Sequence, residues 1–250
     1  MTHNGQIGNQ INDQIFQELS VIIPFTANDV LWKDLLQDLI PLPKEAEIIL
    51  VGPDAPDSEM FKKATAKIIA QIRYVYSPIG RGLQLNTGAK KATKNYFWFL
   101  HADSKIPRPS LHMLERELAI KKDALHYFDL QFLNDGPKLM GLNSLAANFR
   151  SRIFGIPFGD QGFAVSRAVF YRIGGFSERT NYGEDHNFVW EAKKKRVPLN
   201  HISGAIFTSA RQYQTTGWSK LTGKRIYLTT KRATKECVKL VKKRIIESWL

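Results

Sequence analysis

The sequence predicts a doubly wound α/β fold: a mostly parallel central sheet with helices on both faces, followed by a helical extension at the C-terminus. Three observations predict it. Short β-branched and aromatic runs recur at a nearly constant interval through the first part of the chain, the segments between them read as amphipathic helices, and 43% hydrophobic residues among 250 can fill one large core.

The runs Leu19–Ile23, Glu47–Val51, Ile72–Tyr76 and Tyr96–Leu100 read as strands. Between the first two, Asp29–Ile40 sets Leu31, Leu35 and Leu39 on one helical face beside Trp32 and Leu36, and Pro41 and Pro43 stop it. The segment Ser58–Gln71 reads as a helix with Phe61, Ala64 and Ile68 facing inward. Strand, helix and strand at this spacing give right-handed crossovers and a parallel sheet covered on both faces. Beyond Pro107 the pattern loosens into a helix near Ser110–Lys122, a strand near Ala124–Leu130, a turn at Asn134–Pro137 and a polar helix near Leu142–Arg152. A strand at Phe163–Ser166 and a helix at Asp185–Lys195 follow.

Composition excludes several classes. A single cysteine, Cys237, rules out an internal disulfide framework or a cysteine zinc cluster and fits a reducing compartment. No window approaches the roughly 18 apolar residues of a membrane span, and the opening residues lack the parts of a signal peptide, so the expectation is a cytoplasmic protein. Gly80-Arg81-Gly82 follows a strand, but Leu85 stands where a dinucleotide fingerprint needs a small residue. No Gly-Lys-Ser/Thr follows those glycines and no Gly-x-Ser-x-Gly elbow is present, which disfavours a phosphate-loop nucleotidase and a serine hydrolase.

In an open parallel sheet, ligands bind beyond the carboxyl ends of the strands. Those loops read Pro24-Phe25-Thr26-Ala27, Gly52-Pro53-Asp54, Ser77 to Gly82 and His101-Ala102-Asp103. Asp103 leaves a strongly apolar strand at the edge where a hard cation on phosphate oxygens wants a carboxylate, and His101 points to the same side if strand geometry continues. Taken alone, the pair reads first as a helix cap, Asp103, and a satisfied core histidine, His101. Glu184 and Asp185 open a helix whose positive end favours a carboxylate, and Gly159-Asp160-Gln161-Gly162 offers a carboxylate and an amide between glycines or simply a tight turn.

Together these segments resemble the family 2 glycosyltransferases with the GT-A (Rossmann-like) fold. The resemblance rests on Leu19–Pro24, Ile48–Val51 with Asp54, Gly80-Arg-Gly-Leu-Gln-Leu-Asn-Thr-Gly-Ala89, His101-Ala-Asp103, Gly159-Asp-Gln-Gly162, Gly174-Gly-Phe176 and Gly183-Glu-Asp185, and covers roughly Leu19–Leu228. It is nearest to a bacterial subgroup carrying GRGxQxNxGA, HAD and GDQG segments. It implies an inverting transfer of a sugar from a nucleotide-diphosphate donor to an acceptor hydroxyl. Donor binding would fall to Pro24, Thr26, Asp54, Arg81, Asp103 and Arg211, and Mg²⁺ or Mn²⁺ to Asp103 with His101. Asp185 would be the base, Glu184 would orient the acceptor, and Asp160 and Gln161 would lie on the acceptor side. The chain departs from the family pattern at Gly52-Pro53, where Asp-Asp is commoner, and at His101, which replaces a first Asp.

The net charge of +13 points to an anionic partner. Between Ser219 and Leu250, ten Lys or Arg residues face only Glu236 and Glu247, so most of the excess is local. There Val238, Val241, Ile245 and Trp249 align into an amphipathic basic helix. Such a helix either lies on an anionic membrane, which suits a lipid-linked or membrane-proximal acceptor, or docks its apolar stripe on the body. The expected organisation is an N-terminal extension (1–18), a GT-A glycosyltransferase domain (19–216) and the basic extension (217–250). Two other readings stay open: a non-catalytic nucleotide-sugar binder, and an anionic-polymer binder using the tail, although no specific nucleic acid is expected from so localised a charge.

Overall fold

The computed structural model describes residues 13–26, 29–178 and 183–247. A short helix α1 (Asp13–Gln17) leads into β1 (Leu19–Pro24), α2 (Trp32–Asp38), β2 (Glu47–Gly52), α3 (Ser58–Thr65), β3 (Gln71–Tyr76), α4 (Arg81–Lys91) and β4 (Tyr96–Phe99). Then come α5 (Arg108–Ile120), β5 (Leu125–Phe132), α6 (Met140–Phe154), a 3₁₀ turn (Gly159–Gln161), β6 (Ala164–Ser166) and α7 (Arg167–Ile173). The chain continues through α8 (Glu184–Lys194), β7 (Leu199–Thr208), α9 (Arg211–Thr216) and α10 (Trp218–Glu247).

One seven-stranded sheet runs in the order β3-β2-β1-β4-β6-β5-β7. Only β6 is antiparallel to its neighbours, so the expected mostly parallel α/β sheet with helices on both faces and a C-terminal helix is what the chain forms. Period-two alternation divides the core. Val21, Ile23, Ile48, Leu50, Trp98 and Leu100 pack toward α2 and α5, whereas Ile22, Ile49, Val51, Phe97 and Phe99 pack toward α4, α7 and α8.

The strands follow the predicted runs closely; the helices are shorter. Asp29 accepts the backbone N–H of Leu31 and forms a local turn, delaying α2 to Trp32. Thr65 bonds back to the carbonyls of Phe61 and Lys62, and α3 ends there instead of reaching Gln71. Strand β3 lies at the sheet edge with Gln71, Arg73 and Tyr76 exposed, and it is covered only in part: Ile72 and Tyr74 pack on one side and Val75 on the other.

Helices α1, α4, α7 and α9 and strand β7 are additions to the sequence reading. The glycines of α4 look like helix breakers, yet they are where the helix touches its neighbours: a Cβ on Gly88 would come within 2.5 Å of Ile22 Cγ2 and 3.0 Å of Val51 Cγ2. Strand β7 pairs in parallel with β5, with a register shift opposite Phe128 and Asp129 where Ser203 and Gly204 interrupt the apolar run.

Helix α10 spans 30 residues, about 45 Å at 1.5 Å per residue. It docks on the body, but not through the predicted stripe: Val238 and Val241 are 49% and 50% exposed, and Trp249 lies outside the described residues. Its near end is held by Leu221, which is buried, by the Trp218 indole donating to Asn143 at 2.7 Å and by Asn143 donating to Thr222 at 3.1 Å. Farther along, Glu236 pairs with Lys194 of α8 at 2.7 Å and Glu247 with Arg196 at 3.2 Å. The polar surface of α8 selects the polar face of α10.

Gly88→Val should therefore lower stability by about 2 kcal/mol through overpacking against Ile22 and Val51. A thermal midpoint equal to that of the parent chain would show that α4 does not need this close approach.

Candidate active site

Strand β4 carries its chain to the carboxyl edge of the sheet and releases it as His101-Ala102-Asp103; β7 ends beside it at Thr208. The N-termini of α4 and α8 converge on the same place, and Arg81 of α4 pairs with Glu184 of α8 at 3.5 Å. Gly82 makes this approach possible, since a Cβ there would lie 2.3 Å from the Ser177 carbonyl oxygen and 3.4 Å from Glu184 Cβ. Together they enclose a polar cavity of about 530 Å³ lined by Arg81, His101, Asp103, Asp160, Glu184, Asp185 and Arg211.

The carboxylates in it are crowded and only partly compensated. Burial raises Asp103 above the usual carboxylate range, opposed by a 3.2 Å hydrogen bond from Thr208 and by Arg81. Burial also raises Glu184, with Asp185 adding to the shift and Arg81 opposing it. Asp160 is pushed up to about 6 by burial, against the attraction of Arg150, and its Oδ1 is buried with no hydrogen-bond partner among the described residues. His101 is held well below the usual imidazole range by burial and by Arg81, which keeps it neutral near pH 7.

Asp185 is positioned by the backbone. Its Oδ2 accepts the Gly159 N–H at 2.9 Å and its Oδ1 the His186 N–H at 2.7 Å. A carboxylate offers about four lone-pair sites, so acceptor capacity remains toward the cavity. Gly159 is needed here: a Cβ would lie 3.0 Å from His101 Nε2 and 3.3 Å from Asp185 Cβ.

Arg211 reaches the cavity rim from α9, bonded to Ser209 and paired with Asp135 at 3.7 Å. Gln161 does not reach it. This fully buried amide donates to Phe128 O and Ser151 Oγ and accepts from Phe158 N, so it braces the 3₁₀ turn instead of facing an acceptor. Pro24 is buried within β1, and Thr26 and Asp54 are exposed on the loops after β1 and β2; none of the three lines this cavity. Asp54 sits on the loop after β2, outside the lining of this cavity.

The sequence reading missed Thr208, His186, and Arg225 and Arg232 of α10, all of which line the cavity. His186 accepts the Trp190 indole N–H at 3.1 Å, and burial lowers it to about 4. Arg225 and Arg232 looked like surface cations; only the docking of α10 turns them inward. Among the described residues no three His, Cys, Asp or Glu side chains converge as a ready-made cation site. The donor set fits Mg²⁺ or Mn²⁺ in another way: such ions are commonly held by one or two carboxylates plus substrate phosphates and water, and Asp103, which accepts from Thr208 through Oδ2, keeps acceptor capacity for such an ion.

No protein-family signature and no curated protein matches the sequence. Solved structures share the fold. The structure of S. aureus TarS superimposes with a TM-score of 0.60 at 18% identity, covering 77% of this chain and 36% of that one. TarS 1–349 in complex with UDP-GlcNAc gives 0.60 at 18% identity over 77% of this chain and 58% of that one. The mannosyltransferase PcManGT from Pyrobaculum calidifontis, in complex with GDP-Man and Mn²⁺, gives 0.54 at 17% identity over 76% and 56%. The chain thus spans less than two thirds of these structures. At such identities the likeness defines the fold class, a GT-A-type α/β sheet.

A carboxyl group raised by burial weakens the fold as pH rises through its ionisation, because the unfolded chain gives up the proton more readily. From Asp160, stability should decline between about pH 4 and 6 and then level off. Asp160→Asn should flatten that decline and stabilise the protein at pH 7 by up to about 3 kcal/mol. Denaturant titrations at pH 4 and 7 would read this; an unchanged pH slope would remove Asp160 from the strained set.

Proposed function

We propose that the chain transfers a sugar from a nucleotide-diphosphate donor to an acceptor hydroxyl, with inversion at the anomeric carbon. The observation that carries this reading is Asp103, Glu184, Asp185 and Arg81 facing one polar cavity at the carboxyl edge of the sheet, under two helix N-termini. The fold it shares with structures solved with UDP-GlcNAc and with GDP-Man and Mn²⁺ supports the donor class.

In this proposal Thr26 and Asp54, exposed at the same edge, meet the nucleoside, with Pro24 closing the loop beneath them. Arg81, Arg211 and the N-termini of α4 and α8 receive the diphosphate, as helix N-termini suit anions. Asp103, with His101 adjacent, would hold Mg²⁺ or Mn²⁺, which when bound neutralises charge on the departing diphosphate. Asp185 accepts the proton of the acceptor hydroxyl as its oxygen attacks the anomeric carbon from the face opposite the leaving group. A new carbon–oxygen bond forms while the bond to the β-phosphate breaks, and the electron pair leaves with the nucleoside diphosphate. Glu184, tied to Arg81, orients the acceptor, and Asp160 lies on the acceptor side. In this proposal residues 19–216 carry the chemistry and α10 supplies part of the cavity wall.

No helix among the described residues is long and apolar enough to cross a membrane. Peripheral contact through the cations of α10 remains part of the proposal.

Calorimetric titration with a panel of nucleotide sugars, with and without Mn²⁺, should find metal-dependent binding of at least one donor, lost in Asp103→Ala. Silence across the whole panel would contradict the reading. Asp185→Asn should keep donor affinity while transfer falls by about 10²–10⁴-fold, the usual contribution of a positioned base. Equal loss of binding and transfer would take the role of base away from it.

A further inference from the structure

A second, larger cavity of about 930 Å³ opens between α6 and α10, at the upper end of the size that small-molecule ligand sites use. Leu130, Leu142, Ala147, Phe154, Ile156 and Val238 give it apolar walls. It adjoins the polar cavity: Phe132, Phe158, Asp160, Arg225 and Thr229 line both. Phe158 carries the Arg150 guanidinium stacked 3.6 Å from its ring centre, and Arg150 also donates to Ile156 O at 2.8 Å and to Gln161 at 3.4 Å. The cationic groups at the junction are thus largely engaged by the protein. Asp160 keeps an unpartnered buried oxygen there.

A long apolar groove ending at an unsatisfied carboxyl beside a polar site has the chemistry of an amphiphile with a hydroxyl head. We propose that the acceptor is a lipid alcohol: its hydrocarbon chain occupies the groove between α6 and α10, and its hydroxyl end passes Phe158 to reach Asp160 and Asp185. This rests on the transfer reading above and names its acceptor class. Asp160, protonated or ionised, supplies either a donor or an acceptor to the hydroxyls of the head. The surroundings suit delivery from a bilayer. Leu142, Leu145, Phe149 and Ile153 of α6 are each more than half exposed, and the neighbouring α10 carries exposed Lys224, Lys231, Lys235 and Lys239. Apolar side chains beside a row of cations match an anionic membrane surface.

The test uses the full chain and monoacylglycerols with 8, 10 or 12 acyl carbons, below their aggregation concentrations, read by the fluorescence of Trp190 and Trp218, which line the groove. Affinity should rise roughly tenfold for each two carbons, and glycerol should not bind. Ala233→Phe, which fills the groove from α10, should cut affinity for the longest chain about tenfold while leaving nucleotide-sugar binding unchanged. The matching acyl methyl ester, which lacks hydroxyls, should bind at least tenfold more weakly than the monoacylglycerol.

A flat chain-length series overturns the inference, as does a series that Ala233→Phe leaves unaltered. Equal binding of the methyl ester overturns the assignment of a hydroxyl head. A stable dimer that Leu145→Glu splits, with a flat series in the parent chain, would name a second copy as the occupant and overturn the lipid. Failure of every nucleotide sugar to bind strikes at the transfer reading instead, and occupancy of the groove is then judged on the fluorescence series alone.

Discussion

The constraint on which the rest of the structure depends is the gathering of carboxyl groups at the edge of one sheet, partly withdrawn from water. Asp103, Asp160 and Glu184 are each raised by burial, and Arg81 and Arg150 offset only part of the cost. At an effective dielectric near 20, charges about 4 Å apart still interact by roughly 4 kcal/mol, so the arrangement persists only because the surrounding scaffold fixes it. The positive ends of α4 and α8 lie at the same place and lower that cost further.

Close packing delivers these groups. Helix α4 lies against β1 and β2 through Gly88, and its Gln84 amide donates to Phe25 O at 2.8 Å and Val51 O at 3.1 Å, fastening the helix to two strand ends. Gly82 lets the start of α8 come alongside, and Gly159 admits Asp185 and His101 to one small volume. These glycines are spacers between elements, and each sets a distance in the cavity.

Helix α10 joins the two cavities. Its cations serve different ends. Arg225 is spent on Tyr213 at 2.8 Å and Gln212 at 2.7 Å, and Arg232 packs against Gly183 at the start of α8. Lysines on the outer side stay in solvent. The local excess of charge is therefore divided between an internal wall and an outer face, which differs from the continuous basic strip of a nucleic-acid-binding surface.

Residue by residue, the sequence by itself determined the strands and the loops at their carboxyl ends, because period-two burial and the parallel crossover rule are local properties of the chain. His101-Ala102-Asp103 and Glu184-Asp185 were legible for that reason. Helix α4 was not, since its glycines are explained only by the strands they touch, and β7 was hidden by the Ser203-Gly204 interruption in its apolar run. Tertiary structure alone decided that Gln161 is a brace and that Arg225 and Arg232 face inward. It decided too that α10 docks through Leu221 and Trp218 at its near end and through ion pairs farther along, beside an apolar groove. Each of these depends on which surfaces meet across long stretches of chain, and periodicity within a segment carries no information about its partner.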